Sequence, residues 1–355
     1  MRDSGSLLCL VTSPCGRSHR GGATTEQSAQ SPNAVVLIRP HNFRPNEQTR
    51  ADNAFQSSAG VDPGTLAKRA YAEATGVARA LAAAGVTVHL FEDRGRSTPD
   101  SVFPNNWFST HANGHVALFP MLVANRRRER RRDVLETIDA HYRVRDVLDF
   151  SGLERSGVYL EGTGSLVLDH VHGVAYAARS ARTSEVAVRR FCEQLGYEPV
   201  VFDALDESGR AIYHTNVMLS IGTDFALVGL SSIPDPRQRT TICKRLESSG
   251  RTVLELSAAQ VRDFAANAIE LTGRDGRVLA LSERARRALG DAHAAQIAAS
   301  ASLLALDVPT IELAGGSIRC MVAGLHLARR DRHVRARTVH TPVVTASTPR
   351  VEVTL

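Results

Sequence analysis

Lysine is almost missing from this chain. Lys68 and Lys244 are the two it has, so nearly all of its 43 basic residues are arginines. A surface that grips nucleic acid pairs its charge with interleaved aromatics or a known motif. Neither accompanies the densest basic run, Arg126-Arg127-Arg128-Glu129-Arg130-Arg131-Arg132. That run leads into Val134, Leu135, Ile138 and Tyr142 at helical spacing and reads as the solvated face of a helix. Five scattered cysteines in 355 residues exclude a secreted disulfide scaffold. No apolar run approaches the roughly 18 residues of a membrane span. The apolar patch at residues 7–11 is short for a signal peptide, and Asp3 interrupts its basic start. A cytoplasmic protein with neither nucleic-acid nor membrane partner is expected.

What is present is the composition of a globular protein, 43% hydrophobic and 23% charged, with a net charge of +6. The length suits two ordinary domains or one large one. Residues 1–33 and 331–355 show no apolar periodicity and read as tails, leaving residues 34–330 as one folded unit. Residues 34–38 form a buried strand. Asp62-Pro63 opens a helix carrying Leu66, Ala70, Ala74, Val77 and Leu81 on one face, and Gly85 ends it. Residues 86–91 are the next strand. Strands at 165–168 and 174–177, a helix at 184–195 and a strand at 199–202 then follow. The order recurs at 217–221, 225–228, 237–246 and 252–256. Hairpin, helix and strand thus repeat as a unit, which indicates an α/β architecture whose units stack or close into a ring.

Cys192 and Cys243 lie inside those helices and read as core residues. His170-Val171-His172 lacks the further ligands a metal needs. His111 and His115 flank a Gly114 turn and read as surface residues, while the lone Trp107 reads as core. Cys320 stands apart. Gly315-Gly316 allows a tight bend after an expected strand at 310–313, and Arg319 is a candidate to hold a thiolate. His214, at a strand start, is placed to move protons near neutral pH. Glu161 precedes the flexible turn Gly162-Thr163-Gly164-Ser165. A cysteine, a histidine and a carboxylate from three segments make up a nucleophile, an acid/base and an orienting group.

These segments, in this order, resemble the guanidine-modifying superfamily of arginine deiminases, dimethylarginine hydrolases and amidinotransferases. Cys320, His214 and Glu161 fall on its catalytic motifs. Residues 100–107, Asp100-Ser101-Val102-Phe103-Pro104-Asn105-Asn106-Trp107, resemble its substrate-binding segment, and Arg182 falls on the arginine that holds a substrate carboxylate. The nearest resemblance is to bacterial citrulline-utilisation hydrolases. It implies a pentein fold, a five-bladed α/β propeller of ββαβ pseudo-repeats. It also implies covalent attack by Cys320 without cofactor or metal, on a small amino-acid substrate. Asp100 would meet the substrate amine, with Asn105, Asn106 and Asn216 nearby; self-association is left open.

The chain departs from the arginine deiminases. They carry aspartate where it has Asn106 and Asn216, and a Glu-Gly-Gly-Asp turn where it has Glu161-Gly162-Thr163-Gly164. Those aspartates bind a guanidinium, so the resemblance implies a neutral ureido substrate, foremost citrulline. Arginine, dimethylarginine, succinylarginine and amidino transfer remain the alternatives. A non-enzymatic amino-acid-binding relative would have lost the cysteine, histidine or glutamate.

Overall fold

The computed structural model describes residues 29–57 and 60–330. Nearly all of the expected tails, residues 1–28 and 331–355, lie outside the described residues. Gln30 and Ser31, grouped by sequence with the first tail, are tied into the fold. The Gln30 amide donates to the carbonyls of Leu168 (3.0 Å) and Ile221 (3.1 Å), and the Ser31 hydroxyl donates to Glu270.

Among the described residues, five separate three-stranded sheets make up the α/β architecture. Four follow one plan along the chain. In the first, β1 (Phe108–Thr110) pairs antiparallel with β2 (His115–Leu118), a helix α1 (Arg132–His141) crosses over, and β3 (Asp146–Asp149) returns parallel to β2. A parallel return requires such a crossover, which is why each hairpin is followed by a helix. The second, third and fourth sheets begin at Val167–Asp169, Leu219–Ile221 and Ile269–Thr272. The fifth is assembled from both ends. Ala323–Gly324 pairs antiparallel with Ala34–Pro40, which pairs in parallel with Thr87–Asp93.

Local chemistry explains the elements. The Asp62 carboxylate caps the helix Pro63–Ala83 through Thr65 N (2.9 Å), and Leu66, Ala70, Ala74, Val77 and Leu81 are all buried. Trp107, Cys192 and the first five residues of the strand Ala34–Pro40 are core, whereas Cys243 is half-buried. Among the described residues no helix is long and apolar enough to cross a membrane.

Three expected strands are shorter or absent. Residues 162–165 and 215–217 are helical turns, with strands starting at Val167 and Leu219. Tertiary bonds hold these turns: the Thr215 hydroxyl donates to Ser165 O (2.6 Å) and accepts from Ala178 N (2.8 Å). Residues 310–313 are not a strand. Pro309–Glu312 is a helical turn, because Pro309 sits at its first position and the Glu73 carboxylate accepts from Thr310 N and Ile311 N, both at 3.0 Å.

His111 is not a surface residue. It is 2% exposed, with Ser109 Oγ (2.8 Å) on Nε2 and Tyr197 Oη (3.0 Å) on Nδ1, while His115 is half-buried. His170 shares that tyrosine, whereas His172 pairs with Asp169, so the two histidines of the turn go separate ways. Burial lowers the His111 ring to about 3. The unfolded chain therefore takes up a proton below its ordinary pKa that the folded chain refuses, and the folded state loses stability as pH falls. Relative to a His111→Gln variant, wild type should lose about 1.4 kcal/mol per pH unit below about 6.5. Paired urea titrations from pH 7 to 5 measure this, and a constant difference would contradict it.

Candidate functional site

Each sheet's first strand is preceded by a short turn, and four of these turns supply the residues singled out from sequence. Pro104–Asn106 brings Asn106, Gly162–Ser165 follows Glu161, Thr215–Val217 follows His214 and holds Asn216, and Ile318–Met321 carries Cys320. All five side chains are buried.

Glu161, which is 0% exposed, forms the centre of the network. Its Oε2 meets His214 Nε2 at 2.9 Å, Arg182 Nη1 at 3.4 Å and Arg126 Nη1 at 3.5 Å, and its Oε1 accepts from Leu122 N at 3.0 Å. Burial pushes this carboxyl up, but Arg182, the hydrogen bond to His214 and Arg126 outweigh it and hold it well below the usual range. Burial lowers His214 to about 4 against the pull of Glu161, so its ring is neutral at pH 7. With Nε2 engaged by Glu161, Nδ1 is left free for proton transfer.

The Cys320 thiol, 2% exposed, receives Asn216 Nδ2 at 3.4 Å and Asn267 Nδ2 at 3.2 Å. Arg319 does not hold the sulfur. Its guanidinium donates to Val322 O (3.1 Å), because the helical turn sends consecutive side chains in different directions. Arg182 is engaged as well: its fork grips the Asp52 carboxylate at 2.6 and 2.7 Å.

Arg126 overturns the reading of its run as a solvated face. It is 2% exposed, bonded to Glu129 (2.9 Å) and, through Nη1, to Asn106 Oδ1 (2.9 Å). The remaining arginines of the run are half-buried or exposed, and of them only Arg132 lies in the helix that follows. Burial pushes Asp100 up; one of its oxygens accepts from Asn46 Nδ2 (2.8 Å) and the other has no partner.

Asp100, Asn106, Arg182, His214 and Cys320 line one cavity, with Asn53, Phe103, Arg126, Tyr213, Ala314 and Gly316. Glu161 and Asn216 stand behind its wall. Asn105 is buried away from the lining, both of its amide atoms without a protein partner. The cavity is closed to about 10 Å³, roughly the space of one water. Sequence reasoning missed Arg126, Asp52 and Asn267. Arg126 was hidden in a charged run, and Asp52 in a segment without periodicity. Asn267 had a signal: like Asn106, it stands two residues before a first strand.

Solved structures share this fold. The N-terminal domain of ArgZ, an arginine dihydrolase from cyanobacteria, aligns with a TM-score of 0.65 at 16% identity, covering 82% of this chain and 97% of that domain. It was solved as a cysteine-to-serine variant bound to substrate. AgrE aligns at 0.66 and 16% identity over 84% of this chain, which spans 40% of AgrE. A dimethylarginine dimethylaminohydrolase adduct aligns at 0.57 and 17% identity, covering 83% and 100%. No curated protein matches by sequence. The chain is a member of the pentein superfamily of guanidine-modifying enzymes, a hydrolase acting on linear amidine or ureido carbon–nitrogen bonds. More narrowly, residues 39–327 match the family described as N,N dimethylarginine dimethylhydrolase, eukaryotic, and the chain belongs to that family.

Gly164 makes the wall of the site possible. A Cβ there would stand 2.3 Å from Asn106 Nδ2 and 2.7 Å from His214 Nδ1. Gly164→Ala should therefore displace both side chains and cut kcat/KM by about 100-fold, the cost of a small misplacement of reacting groups. Circular dichroism should stay native; unchanged kinetics would show that the two side chains are not needed where they stand.

Proposed function

We propose that this protein hydrolyses a ureido amino acid, foremost citrulline, with Cys320 as nucleophile, His214 as acid/base and Glu161 as its orienting partner. The observation that carries the substrate reading is the orientation of Asn106. Arg126, which only donates, fixes Oδ1 on its own side, so Nδ2 is left buried, without a partner, at the cavity wall. A guanidinium offers donors alone and finds no acceptor there, whereas a ureido carbonyl accepts from that amide. The five sheets serve on this reading as the blades of a propeller around the site, in one catalytic domain spanning residues 34–330.

The chemistry is covalent. His214 takes the thiol proton, and the sulfur attacks the ureido carbon. Either ammonia or ornithine departs with a proton returned by the ring, leaving an acyl thioester on Cys320. Water then clears it, and the carbamate falls apart. Citrulline and one water give ornithine, ammonia and carbon dioxide. Arg182 is the clamp for the substrate α-carboxylate and Asp100 the partner of the amine. Asn105, set behind the lining, supports Asn106, and Asn216 holds the sulfur. Because Asp52 already fills the Arg182 fork, the loop that carries it has to yield before an amino acid enters.

A second reading is arginine dihydrolysis, favoured by the likeness to ArgZ and by AgrE solved with L-arginine. Its second half also handles a ureido group. Equal concentrations of citrulline, arginine, dimethylarginine and succinylarginine, with ornithine, citrulline and ammonia measured separately, distinguish the readings. Citrulline should be fastest; quicker ammonia release from arginine would favour the dihydrolase. Cys320→Ser should lose several orders of magnitude in rate with every substrate, and retention of a tenth of the activity would remove Cys320 from the mechanism. Asp52→Ala should lower KM for citrulline, since a competitor for Arg182 is gone; a raised KM would make Asp52 part of the binding site instead.

A further inference from the structure

The fourth sheet's lead-in turn also reaches the centre. Asn267 stands two residues before Ile269–Thr272 and is 0% exposed. Its carboxamide is bonded on both sides. Nδ2 donates to Cys320 Sγ (3.2 Å) and to the Asn216 carbonyl (3.1 Å). Oδ1 accepts from Ser317 N (3.2 Å) and Cys320 N (3.4 Å), and its own carbonyl accepts from Arg319 N (3.2 Å). One side chain thus touches the sulfur, the backbone that carries the sulfur, and the neighbouring turn that carries Asn216.

The chain bends sharply to place it. Among the described residues, Phe264 is the non-glycine residue with a positive φ, +61°. Its carbonyl accepts from Asn267 N at 2.8 Å, closing the turn that aims the amide. Such a conformation costs of order 1–3 kcal/mol and persists where the surroundings over-determine it. Here the Phe264 ring is held by Phe55 (5.6 Å between centroids) and by the Arg284 guanidinium (5.2 Å).

We propose that Asn267 is a catalytic residue of this site, the donor that aims and steadies the Cys320 sulfur as negative charge gathers on it. Asn216 assists from the adjoining turn. Two amide donors stand where a cation would be in a cysteine–arginine arrangement, so the sulfur is held by dipoles, at no cost in buried net charge. The proposal rests on Cys320 being the nucleophile.

Asn267→Asp keeps the shape and the acceptor for Ser317 N and Cys320 N, but replaces the donor facing the sulfur with an oxygen. Asn267→Ser shortens the side chain and keeps a hydroxyl. Asn267→Asp should lower kcat by about 100-fold, the scale for losing one donor to a developing anion. KM should change little, alkylation of Cys320 by iodoacetamide at pH 7 should slow in parallel, and Asn267→Ser should fall between it and wild type. Full activity of Asn267→Asp beside an inactive Cys320→Ser overturns the proposal and leaves the nucleophile standing. Full activity of Cys320→Ser overturns the nucleophile itself. Loss of activity that tracks thermal stability, with alkylation of the folded fraction unchanged, also overturns the proposal. Should both substitutions prevent folding, the wild-type chain still gives an answer. The side-chain amide resonances of Asn267 should shift when Cys320 is alkylated, and unmoved resonances overturn the contact.

Discussion

Glu161 is a carboxylate with no exposed surface that its neighbours hold toward the ionised form, and the site is built around that constraint. An ionised carboxylate in such a place needs compensating charge and hydrogen bonds on every lone pair. Arg182 and Arg126 approach from different segments, His214 supplies a ring nitrogen and Leu122 a backbone amide. Both arginines are then committed elsewhere: Arg182 to Asp52, Arg126 to Glu129 and Asn106. One carboxylate therefore sets the face that the His214 ring turns to the cavity and, through Arg126, the end of the Asn106 amide that points inward.

That chain of bonds explains why the substitution of amide for carboxylate at residue 106 has a geometric meaning. An aspartate there would present a second acceptor to the cavity. The asparagine spends its acceptor on Arg126 and has only a donor to offer. The guanidinium that hides in the basic run thereby fixes which end of the Asn106 amide the cavity meets.

Much of the fold is legible in local sequence signals. The apolar face of Pro63–Ala83, its Asp62-Pro63 start and the hairpin–helix–strand order are all decided within a few residues of sequence. The misread segments are those whose conformation is imposed from a distance. Pro309–Glu312 is capped by Glu73 from another helix, and the turn at Thr215 is tied to Ser165 and Ala178. The same division holds at the site. Cys320, Glu161, His214, Asn106 and Asn216 stand next to glycines or strand starts and carry motif-level signals. Arg126 and Asp52 are defined only by the partners that folding brings to them, and no spacing announces them.

The sheet shared by the two ends of the chain fixes a sequence of events during synthesis. Ala34–Pro40 leaves the ribosome early and waits with one edge open until Ala323–Gly324 arrives, with Val35 opposite Gly324. Cys320 sits three residues ahead of that last strand. A nascent chain thus contains the Glu161, His214 and Asn267 segments while still lacking the proposed nucleophile. A chain stopped short of Cys320 lacks both the strand that closes this sheet and, on the mechanism proposed above, the sulfur that would do the chemistry.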